Sequence, residues 1–172
     1  MDGAVAVGWT FRASTADDAH WMAELRADVM RPDLERLGRY DEHRVRQRFL
    51  DAFVPGHTRV ILVGGREVGL VAVRPEPDAL WIEHFYLAPS PQGRGIGAQV
   101  LAKILTEGDG TRPFRLNVLQ GSPARRLYER HGFVLDHDDA IDVYLEAPPR
   151  PIAVTGCPGP TRHTGWGPGS AV

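Results

Sequence analysis

The sequence has almost no cysteine. Cys157 stands alone, so no disulfide can form within the chain, and a fold stapled by disulfides is excluded. A lone thiol suits a reducing compartment, and a cytoplasmic location is expected. Long apolar runs are missing too. No stretch approaches the roughly 18 residues that a membrane-spanning helix requires. Met1–Trp9 has no basic segment leading into an apolar one, so no signal peptide is expected. Neither sign of charge dominates. The net charge of −2 and pI of about 6.4 argue against nucleic acid, whose binders carry a basic face. No internal repeat is visible.

What remains is the composition of a soluble globular protein, 42% hydrophobic and 24% charged over 172 residues. A chain of this length forms one domain and buries about 70% of its unfolded surface. It needs neither metal nor disulfide to hold a core. The domain is expected over residues 1–147. Residues 148–172 are rich in Pro and Gly, carry little periodic signal past Ile152, Ala153 and Val154, and read as a tail without fixed structure.

Trp9–Arg12 alternates as a short strand. Ser14 and Asp17 have the spacing of a capping box, and Met22, Leu25 and Val29 follow at helical spacing. Pro32 predicts a break, with Pro32–Gly38 as a separate piece. Asp41 caps a second helix whose buried stripe is Val45, Phe49, Leu50 and Phe53, ended by Pro55-Gly56. Arg59–Val63, the Gly64-Gly65 turn and Val68–Val73 make a hairpin. Ala79–Leu87 is a longer strand. Ile96, Val100, Leu101, Ile104 and Leu105 share a helical face, and Phe114–Leu119 is the next strand. Ser122-Pro123 opens a helix that Gly132 ends. Phe133–Leu135 and Ile141–Leu145 close the order as two strands. Antiparallel hairpins joined to one crossover unit predict a mixed sheet with helices on both faces.

The sharpest chemical signal is Gln92-Gly93-Arg94-Gly95-Ile96-Gly97-Ala98. It lies between a strand and an amphipathic helix. Glycine permits positive φ and close approach of a ligand to the backbone. The helix start adds its positive dipole end, so a phosphate is the expected guest. No Gly-Lys-Ser/Thr follows, which excludes a P-loop. Gly93-x-Gly95-x-x-Ala98 formally fits a dinucleotide fingerprint, but Pro113–Ser122 lacks the acidic residue that would hold a ribose. A glycine-rich helix start with no ligand is the plain alternative.

These residues resemble the GNAT superfamily of acyl-CoA-dependent N-acyltransferases. The likeness rests on Gln92, Gly95 and Gly97 in its Gln/Arg-x-x-Gly-x-Gly/Ala turn. It also rests on the approach Phe85-Tyr86-Leu87-Ala88-Pro89 and on Ala124–Phe133, which is similar to the family's Ala-x-x-Leu-Tyr-x-x-x-Gly-Phe. It covers residues 8 to 147. The resemblance implies a mostly antiparallel α/β fold whose two central strands splay apart in a V. It implies acetyl transfer from acetyl-CoA to a primary amine, on a small molecule or peptide, and a homodimer. Amides from Gly93 to Ala98 would hold the CoA pyrophosphate. The pantetheine would lie beside Phe85, Tyr86 and Leu87 in the gap before Phe114–Leu119. Tyr128 would stand near the sulfur and protonate the departing thiolate. Where the family often has Asn, this chain has Gly121, and Asn117 is the substitute. The first two helices would flank the acceptor, making Glu24, Arg26, Asp28 and Tyr40 candidates.

An amine attacks a thioester only when neutral, so its proton needs an acceptor. Glu83 is the first candidate base, with an anchor for a cationic substrate and an ordinary solvent-facing residue as its other readings. His84 is the second, expected on the opposite face. Cys157 has no histidine placed beside it, which disfavours an acyl-cysteine route and favours direct transfer in a ternary complex. A CoA-binding sensor without turnover is the alternative. Asp136-His137-Asp138-Asp139 reads as an acidic turn rather than a metal site. Arg44, Arg46 and Arg48 read as a solvated face.

Overall fold

In the computed structural model, residues 8–89 and 95–152 are described. The turn residues Gln92, Gly93 and Arg94 fall outside them, as do Cys157 and the tail from Ala153 onward.

Trp9–Ala13 (β1) leads through a short 3-10 turn into Ala19–Arg36 (α1) and Glu42–Ala52 (α2). Thr58–Val63 (β2), Arg66–Pro75 (β3) and Leu80–Leu87 (β4) follow. Then come Ile96–Thr106 (α3), Phe114–Leu119 (β5), Ala124–Arg130 (α4), Val134–Asp138 (β6) and Asp142–Ala147 (β7). The seven strands form one sheet in the order β1-β2-β3-β4-β5-β7-β6. Every neighbouring pair is antiparallel except β4 and β5. The expected mixed, mostly antiparallel α/β architecture is present.

The sheet has two apolar faces, and each is covered. Ile96, Val100, Leu101, Ile104 and Leu105 of α3 pack on Ile61, Val71, Ile82, Leu116 and Leu145. On the other face Met22 and Ala23 of α1 and Phe49 of α2 pack on Val60 and Leu70. Gly64 and Gly65 take φ of +57° and +78°, which a two-residue hairpin turn demands.

Three expectations are corrected. The N-terminal cap is Thr15 with Asp18, one residue later than the Ser14–Asp17 spacing suggested. The Asp18 carboxylate accepts from the Thr15 amide at 2.8 Å. Pro32 does not end a helix, and α1 runs through it to Arg36. Pro32 is exposed, and the turn after it is tied down by Arg31–Glu35 at 2.7 Å and by Arg36, whose Nη2 donates to the Gln120 carbonyl at 2.5 Å. These contacts offset the backbone hydrogen bond that proline removes. Finally, Asp136, His137 and Asp138 lie in β6 rather than in a turn. His137 stacks on Tyr144 with ring centroids 4.2 Å apart, and this cross-strand pair extends the strand.

Asp18 ties the N-terminal region together. Both carboxylate oxygens accept from Arg12, at 2.8 and 2.9 Å, and Trp21 Nε1 donates at 2.8 Å. The Arg12 bonds hold the buried carboxyl well below the usual carboxylate range, against the opposing effect of burial. A depressed carboxylate stabilises the fold above its unfolded pKa of about 3.9 and loses that contribution as pH falls. Asp18→Asn should lower unfolding free energy at pH 7 by about 2 kcal/mol, less than a fully buried pair because Arg12 is part-exposed. Urea unfolding at pH 7 and pH 3 checks this, and the gap between variant and wild type should shrink at pH 3.

Candidate active site

Strands β4 and β5 share only two register pairs, Leu80 with Phe114 and Trp81 with Arg115. Beyond those, β4 follows β3 to Leu87 while β5 follows β7 to Leu119. The sheet therefore opens into a V between Ile82–Leu87 and Leu116–Leu119.

A bulge lies on the β4 arm. Between the pairs Ala72–Glu83 and Leu70–Tyr86, the single residue Val71 faces both His84 and Phe85. His84 has φ of +48° and is the one non-glycine residue at positive φ among those described. An extra residue bends a strand and shifts its alternation. Ile82 faces α3, and after the bulge Phe85 and Leu87 pack on that same side. Tyr86 faces α1 and α2. His84 also lies there, its ring 4.9 Å from that of Phe49. Glu83 shares that face by alternation with Ile82, so His84 stands beside Glu83 and not opposite it.

Glu83 is half-buried. Its Oε1 accepts from Arg74 Nε at 3.0 Å, and Oε2 has no partner among the described residues. His84 Nε2 is buried and bonds to nothing there. Burial, and then the Arg26 charge, push the imidazole down to about 4, so it is neutral at pH 7. Tyr86 is half-buried, with its hydroxyl 3.2 Å from Arg26 Nε and 3.5 Å from Met30 Sδ. Burial raises it above the ordinary tyrosine range.

At the mouth of the V, Gly95 caps α3 with φ of +75° and supplies no side chain to the helix start. The first helical bond there runs from the Gln99 amide to the Gly95 carbonyl at 3.1 Å. The amides of Ile96, Gly97 and Ala98 are thus the helix's own unpaired donors. A Cβ on Gly97 would lie 3.3 Å from Leu87 Cδ1 and 3.6 Å from Leu127 Cδ2. This close packing joins the end of β4, the start of α3 and α4. Gly95 provides the backbone conformation, and Gly97 provides the approach. Both features suit an anionic group that needs bare amides and a positive helix end.

Tyr128 is buried on α4, edge-on to Phe133 at 5.7 Å, and its hydroxyl has no hydrogen-bond partner among the described residues. Burial raises its pKa well above the ordinary value, with a smaller contribution from Tyr86. Complete proton transfer to a thiolate of pKa about 8.5 would therefore be uphill. The arrangement suits a hydrogen-bond donor. Asn117 is turned away from such use. It lies on the α1–α2 side of β5 and its Nδ2 donates to Asp142 at 2.9 Å. Gly121 has φ of +72°, and the Arg36 guanidinium lies 2.9 Å from where its Cβ would be.

Under the V on the α1–α2 side is a cleft of about 230 Å³ walled by α1, α2, β5 and the start of β7. Arg26 lines it. Glu24 instead pairs with Arg46 at 2.6 Å, and Tyr40 lies under Arg31. Arg44 and Arg48 also line the cleft and are both exposed, in keeping with their reading as a solvated face. Their i, i+4 spacing put them on one helical side.

Residues 55–135 match the GNAT acetyltransferase domain, a stretch that holds β4, α3, β5 and α4. Residues 55–135 thus carry a GNAT acetyltransferase domain. The PaiA N-acetyltransferase of Thermoplasma acidophilum, crystallised with coenzyme A, superposes with a TM-score of 0.66 at 16% identity, over 82% of this chain and 99% of that one. An acetyltransferase of Thermus thermophilus gives 0.65 at 18%, over 83% and 98%. The ribosomal-protein-S18-alanine N-acetyltransferase of Escherichia coli gives 0.65 at 13%, over 87% and 99%. At such identities the likeness is one of fold. No curated protein sequence matches the chain. No helix among the described residues is long and apolar enough to cross a membrane.

The buried imidazole gives a direct test. Because its folded pKa is lowered, His84 contributes stability above about pH 6.5 that is progressively lost as pH falls toward 4. In an NMR titration its ring should remain neutral at pH 5.5, where an exposed histidine is mostly charged. A midpoint above 6 would contradict the buried setting.

Proposed function

We propose that this protein transfers an acetyl group from acetyl-CoA to a primary amine, by direct attack of the amine on the thioester while both substrates are bound. The observation that carries this reading is the meeting of the V with the uncapped start of α3, joined where Gly97 packs on Leu87. The residues suit coenzyme A in detail. The amides of Ile96, Gly97 and Ala98 would receive its pyrophosphate, with Gln92, Gly93 and Arg94 completing the loop. Phe85 and Leu87 would line the pantetheine on the α3 side. Acetyl-CoA supplies the activated acyl group.

The chain's own residues then manage protons and position. Glu83 stands on the acceptor side of β4 and takes the ammonium proton on Oε2, directly or through one water. The C–N bond forms as the C–S bond breaks. Tyr128 donates a hydrogen bond to the leaving sulfur, and burial keeps that donor protonated at neutral pH. Of the two protons the ammonium gives up, one returns to sulfur and one goes to solvent. His84, neutral beside Glu83, adds no positive charge of its own next to the incoming amine. A cytoplasmic homodimer is part of the same proposal, supported by the resemblance and by Val134 and Leu135 exposed on the edge strand β6.

Titration calorimetry of acetyl-CoA should show micromolar binding that Gly95→Glu and Gly97→Glu each weaken by more than tenfold, with thermal unfolding confirming that both variants fold. Tyr128→Phe should leave that affinity unchanged and lower kcat by about 10²-fold, the scale of one lost transition-state donor. Unchanged kcat in Tyr128→Phe would remove it from the mechanism. Binding with no turnover on any amine would identify a CoA sensor instead.

A further inference from the structure

Four arginines converge on the cleft beneath the V. Arg26 comes from α1, Arg39 from the α1–α2 connection, and Arg44 and Arg48 from one side of α2. Only two carboxylates line the same cleft, and both are occupied. Asp41 accepts from the Arg44 amide at 2.7 Å to cap α2, and Asp142 accepts from Asn117. No carboxylate among the described residues pairs with any of the four arginines.

Arg26 is the most telling of them. It is half-buried, where a charge ordinarily has an opposite partner. Its position is nevertheless fixed. Nη1 donates to the Val45 carbonyl at 2.5 Å and Nε to the Tyr86 hydroxyl at 3.2 Å. Nη2 is left without a partner among the described residues. Tyr86 in turn belongs to the bulged arm of β4, so the guanidinium is held at the side of the V where Glu83 and His84 stand. A fixed guanidinium with donors to spare is a ready site for a carboxylate or phosphate oxygen. The three flanking arginines give the cleft a positive field and draw in anions.

We propose that the acceptor is a small anionic amine, one that carries a carboxylate or phosphate near its amino group, and that Arg26 holds that anion. This rests on the reading of the α1–α2 side of the V as the acceptor side. The charge then sorts substrates. A polyamine would meet four guanidiniums and be repelled. An amino acid or aminoalkyl phosphate would be drawn in by its anion and would present its amine toward Glu83. The cleft's size, about 230 Å³, lies below the roughly 300–1,000 Å³ of drug-sized pockets and suits a small molecule.

The test uses the full chain in two arms. In the first, thiol release from acetyl-CoA is followed with free amino acids, their primary amides, aminoalkyl phosphates and polyamines. In the second, N-acetyl amino acids and their amides are titrated by NMR while the Arg26 Nε–H resonance is watched. The anionic member of each pair should be favoured by at least ~10-fold, the scale of one charge-assisted hydrogen bond. Arg26→Met should erase that preference. Because Arg26 also ties α1 to α2 and β4, the Arg39→Gln/Arg48→Gln double variant, at exposed positions, serves as the second probe and should reduce the preference at least threefold. Amides that react or bind as well as acids, or a preference that survives both variants, overturns the proposal. Preference for the phosphates over the carboxylates supports it and identifies the anion. Acetyl-CoA calorimetry on the same samples keeps the two readings apart: loss of CoA binding with intact anion preference sinks the acetyltransferase reading, and the reverse sinks this one.

Discussion

A single shortage of hydrogen bonds organises the molecule. β4 can pair with β3 or with β5 along its length, and past Trp81 it pairs with β3 only. β5 is likewise matched to β7 from Phe114 to Leu119. The sheet is therefore two antiparallel halves that share a corner. Backbone groups in a closed sheet satisfy each other. Here a row of them faces an opening, and the opening is where ligand backbone-like amides can dock. The helices follow from this division. α3 crosses from one half to the other and seals one face of the corner, while α1 and α2 lie across the opposite face.

The two sides of the opening differ in character as a result. The α3 side is apolar, built from Phe85, Leu87, Leu127 and the helix core, with bare amides at its rim. The α1–α2 side carries Glu83, His84 and the arginines. A long, partly apolar thioester and a small charged partner can therefore approach from separate directions and meet between the strands. The charged groups that would disturb the first are kept on the far face of the sheet from it.

Much of this was legible in the sequence, because most of its local signals agree with the global fold. The Gly64-Gly65 turn, the Asp41 cap, the α3 stripe from Ile96 to Leu105 and Gly132 each named its element correctly. The strand–turn–helix at Gly95 and the Ala124–Phe133 block pointed to the family. What escaped lies in tertiary contact. Pro32 passes through a helix because Arg31, Glu35 and Arg36 hold the turn beyond it. Nothing in Glu83-His84-Phe85 announces a bulge, since a period of two reads straight through it. The arginines of α2 read as a solvated face, and only the folded chain shows that Arg44 and Arg48 border a cleft with Arg26 and Asn117. Asn117 looked available, and its partner Asp142 sits on a strand that comes 25 residues later.

The bulge has a consequence at the level of the gene. His84 is the surplus residue of β4, so removing its codon would leave Glu83, Phe85, Tyr86 and Leu87 on the faces they now occupy and let the strand run straight. Removing a codon between Leu80 and Ile82 would instead reverse the sidedness of residues before or after it. Insertion and deletion are thus tolerated in this strand at one place and ruinous a few residues away. The His84 imidazole is thus separable from the hydrophobic pattern on either side, which such an event leaves unchanged.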